Sequence, residues 1–210
     1  MDVHPPHEPI HSWRDFFIHL ITITIGLLIA LGLEGVVEWG HHRSLVREAR
    51  KDIREEFEIN HQLVSKNLAS VHADEQRIAA DIKTLVSLRA GKKIQHGELA
   101  YTVTWSSFGD SAWKTAQTSG ALGYIDFKSA QELSDVYAEQ DFASASATRI
   151  YRNQTLAISP LFITGDPNQM SAHETQLCLE RSADLLLDLR SLEEILQQLD
   201  RQYSEQLKRM

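Results

Sequence analysis

The sequence predicts an all-α protein: an N-terminal transmembrane helix continuous with a long helix, packed in an antiparallel three- to four-helix bundle. Three observations predict it. Residues 16–33, FFIHLITITIGLLIALGL, form a long uncharged apolar run. Extended by Val36, Val37 and Trp39, it reaches the roughly 20 residues needed to cross a hydrocarbon core of about 30 Å. Beyond it, apolar residues recur at spacings of three, four and seven, the pattern of one helix face. No proline then occurs before Pro160.

The anchor is expected over 13–40, after a flexible polar tail at 1–12. A cleaved signal would carry a basic start and a short apolar stretch. Here the first 14 residues hold Arg14 against Asp2 and Glu8, and the helical pattern runs on through Glu34, Val37 and Glu38. A buried core helix is disfavoured because nothing else in the chain is apolar enough to surround it. Trp13, Arg14, Glu34, Glu38, Trp39 and Arg43 are the expected membrane-interface residues. Gly26 and Ala30, four apart, are a small-xxx-small pair through which two helices can approach; ordinary lipid-facing composition reads the same way. Arg43, Arg47, Arg50, Lys51 and Arg54 follow the anchor, whereas Arg14 stands alone before it. The positive-inside rule then puts the soluble domain in the cytoplasm and the N-terminus outside, in a cell (inner) membrane.

The remainder, 41–210, reads as one soluble bundle with helices at about 41–89, 111–119, 126–158 and 171–208. Val46, Ala49, Ile53, Phe57, Val64, Leu68, Val71, Ile78, Ile82 and Leu85 make the stripe of the first. Gly91 is expected to end it. Residues 94–125 hold five aromatic residues and read as a short connector with a helix capped by Asp110 and closed by Gly120. Asp126 is the expected cap of the next helix, whose inner face is Leu133, Val136, Tyr137, Ala147, Ile150 and Tyr151. Ser171 and Glu174 form a capping box for the last. Its seam, Leu185, Leu189, Leu192, Leu196, Leu199 and Tyr203, alternates spacings of four and three as coiled coils do.

Composition narrows the function. Residues 41–91 carry nine positive and eight negative side chains, the mixture of a solvated helix rather than of a nucleic-acid-binding surface. Cys178 is the one cysteine; it permits no intrachain disulfide and no cysteine-based zinc site, and reads as a small buried apolar residue. His7-Glu8-Pro9-Ile10-His11 has the letters of a zinc-protease motif, which needs both imidazoles on one helical face. Pro9 opposes that helix, so His4, His7 and His11 remain candidates for metal binding only, with a metal-dependent enzyme at His7, Glu8 and His11 as a further alternative. Glu34, Glu38, His41 and His42 share a helical side, most simply as interfacial anchoring. Trp105 and Trp113 are candidate ligand-binding residues of a pocket between helices, against the plainer role of packing the bundle. No phosphate loop, nucleophile elbow or paired-carboxylate site occurs, and no cofactor is implied.

Two segments carry a family resemblance. Ile25-Gly26-Leu27-Leu28-Ile29-Ala30-Leu31, followed by an acidic, Trp-containing helix start, resembles the anchor of a group of bacterial single-pass membrane proteins of unknown function. Trp113-Lys114-Thr115-Ala116-Gln117-Thr118-Ser119-Gly120-Ala121-Leu122 resembles a Trp…Ser-Gly-x-Leu stretch in the same group. The resemblance covers about a quarter of the chain. It implies an anchored helical domain and no particular activity.

The expected function is therefore that of a membrane-anchored, non-enzymatic protein acting through protein contacts, as adaptor, assembly component or homo-oligomer. Its expected partners are the bilayer and a protein or second copy, and not nucleic acid. A small-molecule sensing module around Trp105 and Trp113 is the alternative.

Overall fold

The computed structural model describes residues 13–95 and 97–210. In order they form α1 (Trp13–Arg89), a short α2 (Ser111–Thr118), a 3-10 turn (Ala121–Tyr124), α3 (Phe127–Thr164), a second 3-10 turn (Pro167–Gln169) and α4 (Ala172–Arg209). No strand occurs among the described residues. The chain divides into two compact units, 1–48 and 49–210.

Over its described residues the first unit is helix throughout. It is one helix long and apolar enough to cross a membrane, and none of its most apolar 18-residue window is buried. Its polar side chains turn back on their own helix. Thr22 and Thr24 donate to the carbonyls of Ile18 and Leu20, and His19 Nδ1 lies 3.0 Å from the Asp15 carbonyl. A hydroxyl bonded to its own backbone presents no orphan donor to lipid. The Thr hydroxyls between Phe16 and Leu33 are thus satisfied within their own helix.

The second unit is built around seven-residue recurrence. On α1, Phe57, Val64, Val71, Ile78 and Leu85 are each at most 1% exposed. On α4, Leu185, Leu189, Leu192, Leu196, Leu199 and Tyr203 are at most 2% exposed, as the four-three spacing requires. α3 contributes Leu133, Val136, Tyr137, Ala143, Ala147 and Ile150. Phe57 sits between two of these rings, 5.2 Å from Tyr137 and 5.0 Å from Tyr203 by centroid. α3 and α4 make the closest pair of helices; the small residues Ala143, Ala147 and Ala157 permit the approach.

Cross-helix pairs give the directions. Asn153–Asp188 and Arg209–Glu132 run α4 antiparallel to α3. His61–Asp200 and Arg89–Gln176 run it antiparallel to α1. Glu56–Tyr137 and Asn60–Gln140 make α1 and α3 parallel. The chain must therefore travel back along the whole bundle between α1 and α3. It does so as an extended strap, residues 98–110, rather than as the short connector the composition suggests. The result is an up-down-up-down bundle whose second element is not a helix.

Several ends differ from expectation for identifiable reasons. α3 runs to Thr164 with Pro160 inside it, instead of stopping at 158. Proline removes the N–H that would bond the carbonyl four residues earlier, here that of Leu156. Arg181 Nη1 of α4 donates to that carbonyl at 2.5 Å and Ser159 Oγ at 3.0 Å, so the helix continues. Tyr151 is 40% exposed rather than on the inner face; the adjacent Ile150 takes the buried position. Asp110 occupies the cap position of α2 without a capping bond, and α2 ends at Thr118 with Gly120 in the left-handed region at φ 77°. Asp126 caps α3 through Ser129 N–H, and Ser171 with Glu174 closes the capping box of α4, as the spacing predicts.

Leu192 is buried between helices, so Leu192→Ala should cost about 2–5 kcal/mol by urea unfolding. A change near zero would mean the seam is not core.

Candidate functional site

The strap is held by polar side chains of α1 that recur every seven residues. Asn60, Asn67, Asp74 and Asp81 stand three positions after Phe57, Val64, Val71 and Ile78, on the same inward side, and all four are buried. Asn60 grips the Gly109 peptide twice: Nδ2 donates to its carbonyl at 2.8 Å and Oδ1 accepts from its N–H at 2.9 Å. Asn67 does the same to Ser106, both bonds 2.8 Å. Asp74 accepts from Thr104 N–H at 2.9 Å, and Asp81 from Ala100 N–H at 3.0 Å. Asn168, in the turn before α4, clamps Ile94 through both peptide groups at 2.9 Å.

α3 supports the strap from the other side. Gln140 Nε2 donates to the Gly109 carbonyl at 3.1 Å, and Gln154 Nε2 to that of Tyr101. The Tyr101 hydroxyl reaches Ser182 Oγ on α4 at 2.9 Å. At the far end Glu56 replaces the missing cap of α2. Its Oε2 accepts from Ala112 N–H at 2.9 Å and from the Ser111 hydroxyl at 3.0 Å. Its Oε1 accepts from the Tyr137 hydroxyl at 2.6 Å. A carboxylate at a helix N-terminus satisfies orphan N–H groups and meets the positive end of the dipole.

The electrostatics follow from burial. Asp74 is paired with Arg77 one turn on. Asp81 is 1% exposed, and its Oδ2 has no hydrogen-bond partner. Burial holds its pKa above the ordinary carboxylate value, while Ala100 N–H and then Arg77 pull the other way. Burial also raises the Tyr137 hydroxyl, reinforced by Glu56 beneath it. Glu75 is raised by burial and by Glu193 across the α1–α4 contact.

His61, Asp200 and Ser204 invite comparison with a nucleophilic triad. In a triad the imidazole receives the hydroxyl proton on one nitrogen and is oriented by the carboxylate through the other. Here Asp200 Oδ1 and Ser204 Oγ both lie on Nε2, at 3.0 and 3.2 Å. The cluster is a clamp between α1 and α4.

The residues singled out from sequence are dispersed. Trp105 meets Phe108 edge-on at 5.4 Å, and Trp113 stacks on Tyr137 at 4.9 Å. Two open clefts lie elsewhere: one of about 420 Å³ beside Glu56 and Asn60, and one of about 440 Å³ between Tyr101 and Phe162. Neither Trp105 nor Trp113 lines them. Trp13, Arg14, Glu34, Glu38, Trp39 and Arg43 are exposed on α1. Arg43 lies over the Trp39 ring at 5.3 Å, and Glu38 is 3.9 Å from His42. Gly26 and Ala30 are exposed, and a Cβ at Gly26 would meet nothing within 4 Å. His4, His7, Glu8 and His11 lie outside the described residues. Among the described residues no group of three His, Cys, Asp or Glu is placed to hold a metal ion.

The sequence reading missed Glu56, Asn60, Asn67, Asp74 and Asp81. The signal was available: Asn, Asn, Asp, Asp at strict seven-residue intervals, in step with an apolar column. Comparison with protein-family models, curated proteins and solved structures finds no match.

Asn67→Ala strands both peptide groups of Ser106, and each orphaned group costs about 1–3 kcal/mol when buried. Partial exposure of the strap puts the expected loss near the low end, about 2 kcal/mol in denaturant titration. Asp81→Asn should act oppositely. A carboxyl whose folded pKa is raised binds its proton more tightly when folded, so its contribution to stability falls as pH rises from the unfolded value through the raised folded one. Melting curves across that range should show Asp81→Asn gaining on the wild type as pH rises. A parallel pH dependence in the two proteins would refute this.

Proposed function

We propose that this chain is a single-pass membrane protein held by residues 13–40, whose helical domain acts through protein contacts as an adaptor, assembly component or homo-oligomer and performs no chemistry. The observation that carries the reading is the exposed apolar surface of the first unit, where Ile18, Ile21, Ile25, Leu28 and Ile29 are each more than half exposed. In water such a surface drives association; in a bilayer it is matched. Trp13 and Trp39 stand 26 residues apart (39 − 13), about 39 Å along a helix, close to the separation of the two interfaces of a bilayer.

The excess of Arg and Lys after the anchor favours a cytoplasmic domain and an external N-terminus, in an inner or other cell membrane. The resemblance to bacterial single-pass proteins fits that setting. Support for a contact role comes from how polar groups are used. Asn60, Asn67, Asp74 and Glu56 are committed to the strap's backbone. Phe142, Leu187, Phe162 and Ile163 are instead exposed on the outside of the bundle.

Sidedness is checked with a C-terminal reporter that works only outside the cytoplasm; it should be silent, and activity would reverse the orientation. Extraction in mild detergent after in-membrane cross-linking should recover a defined complex or oligomer. Recovery of uncross-linked monomer alone would sink the contact role.

A further inference from the structure

We propose that the half of the strap from 99 to 104 is a proton-controlled latch over the apolar cleft at the end of α3, with Asp81 as its catch. The strap has two kinds of rung. Between 106 and 109 the α1 rungs Asn60 and Asn67 each hold an N–H and a carbonyl of one residue. These amides do not titrate, and Glu56 adds a carboxylate whose two oxygens are both engaged. Between 100 and 104 the α1 rungs are carboxylates, each accepting one N–H. Asp74 is neutralised by Arg77. Asp81 is not closed in this way: its second oxygen is buried without a partner.

A charged Asp81 can accept from Ala100 but can give nothing back. Opening of the local strap rehydrates it, which favours the open state. A protonated Asp81 is neutral, so the cost of burying its charge falls away while it still accepts from Ala100 N–H. Acid therefore tightens this half and neutral pH loosens it. Burial biases Asp81 toward the protonated form, in the same direction. The charged or titratable neighbours are few. α1 supplies Arg77 and Asp74. The strap supplies Tyr101, with Cys178 of α4 beyond it. α3 reaches the strap there through the neutral Gln154, on the Tyr101 carbonyl.

The latch matters because the cleft is built partly from it. Leu99, Tyr101 and Thr102 form one wall, and Ile158, Leu161 and Phe162 the other. Lifting 99–104 would remove that wall and uncover the buried Tyr101 ring, while Asn60 and Asn67 keep the rest of the strap in place.

Amide hydrogen exchange by mass spectrometry on the full chain in detergent tests this. After correction for intrinsic exchange, protection of a peptide covering 98–105 should rise as pH falls from about 8 to about 4. The rise should be up to about tenfold for each unit by which folding raises Asp81. Protection over 106–110, held by the amides of Asn60 and Asn67, should stay level. In Asp81→Asn the first peptide should be flat and as protected as in acid wild type. Parallel change of both peptides would overturn the proposal, because global effects such as titration of Glu75 move the two halves together. A slope that survives in Asp81→Asn would overturn it too. Should that variant fail to fold, Asp81→Ser, neutral and able to accept from Ala100, serves the same comparison, and a persisting slope has the same consequence.

Discussion

The second unit depends on one constraint: an extended backbone has no hydrogen-bond partners of its own, and here it must lie against a helix. In a sheet a neighbouring strand would pair those groups; a helix has none to offer, because its backbone bonds are internal. α1 solves the problem with side chains. From Asp81 to Asn60 the helix advances 21 residues (81 − 60), about 31 Å. From Ala100 to Gly109 the strap advances 9 residues (109 − 100), about 30 Å when extended. The two lengths agree only because the strap is nearly straight. Four rungs can therefore hold it along its length with short, stiff side chains.

This requirement accounts for features that otherwise look unrelated. Coiled-coil helices carry apolar residues at both positions of the seam. α1 keeps one column apolar, Phe57 to Leu85, because it faces α3 and α4. It makes the other polar, Asn60 to Asp81, because it faces a peptide backbone. α3 uses the buried Gln140 and the half-buried Gln154 for the same purpose. α2 needs no cap of its own because the strap delivers its first turn to Glu56.

How legible this was in the sequence follows from the same physics. The long helices could be read because Leu185 to Tyr203 and Phe57 to Leu85 bury apolar surface, and burial leaves a periodic trace in composition. Capping by Asp126 and Ser171 was legible because those bonds are local. The strap was not, because what fixes it lies on other elements. Its own residues, Ala100, Thr104, Ser106 and Gly109, are read through their peptide groups, which every residue has. Asn67 and Asp74 are inconspicuous for a related reason: a polar residue on a helix is ordinarily solvated, and only strict recurrence in step with a buried column marks it as turned inward. Pro160 misled because its cost is met by Arg181, 21 residues further on (181 − 160). The candidate ligand residues Trp105 and Trp113 stand out by size, yet each ring is engaged with a neighbouring ring, Phe108 or Tyr137.

The ladder also settles register, which apolar packing alone would leave loose. The α1 rungs are evenly spaced, about 10.5 Å apart for each seven residues. A strap with evenly spaced contacts could slide by one rung and lose only an end. The contacted residues here are Ala100, Thr104, Ser106 and Gly109, at intervals of four, two and three. Shifting them by one rung would carry Ser106 to Asn60 but put the intervals of four and two out of step with Asp74 and Asp81. The uneven intervals therefore favour the observed register. Each end of that register is pinned by a group the ladder does not supply: Asn168 at Ile94 and Glu56 at Ala112. A polar side chain buried in a helical bundle costs free energy unless it is fully partnered. Asn60 and Asn67 meet that condition. Asp81, with one oxygen unpartnered, does not, which makes it the rung at which a change of protonation alters the hold on the strap without disturbing the apolar column beneath.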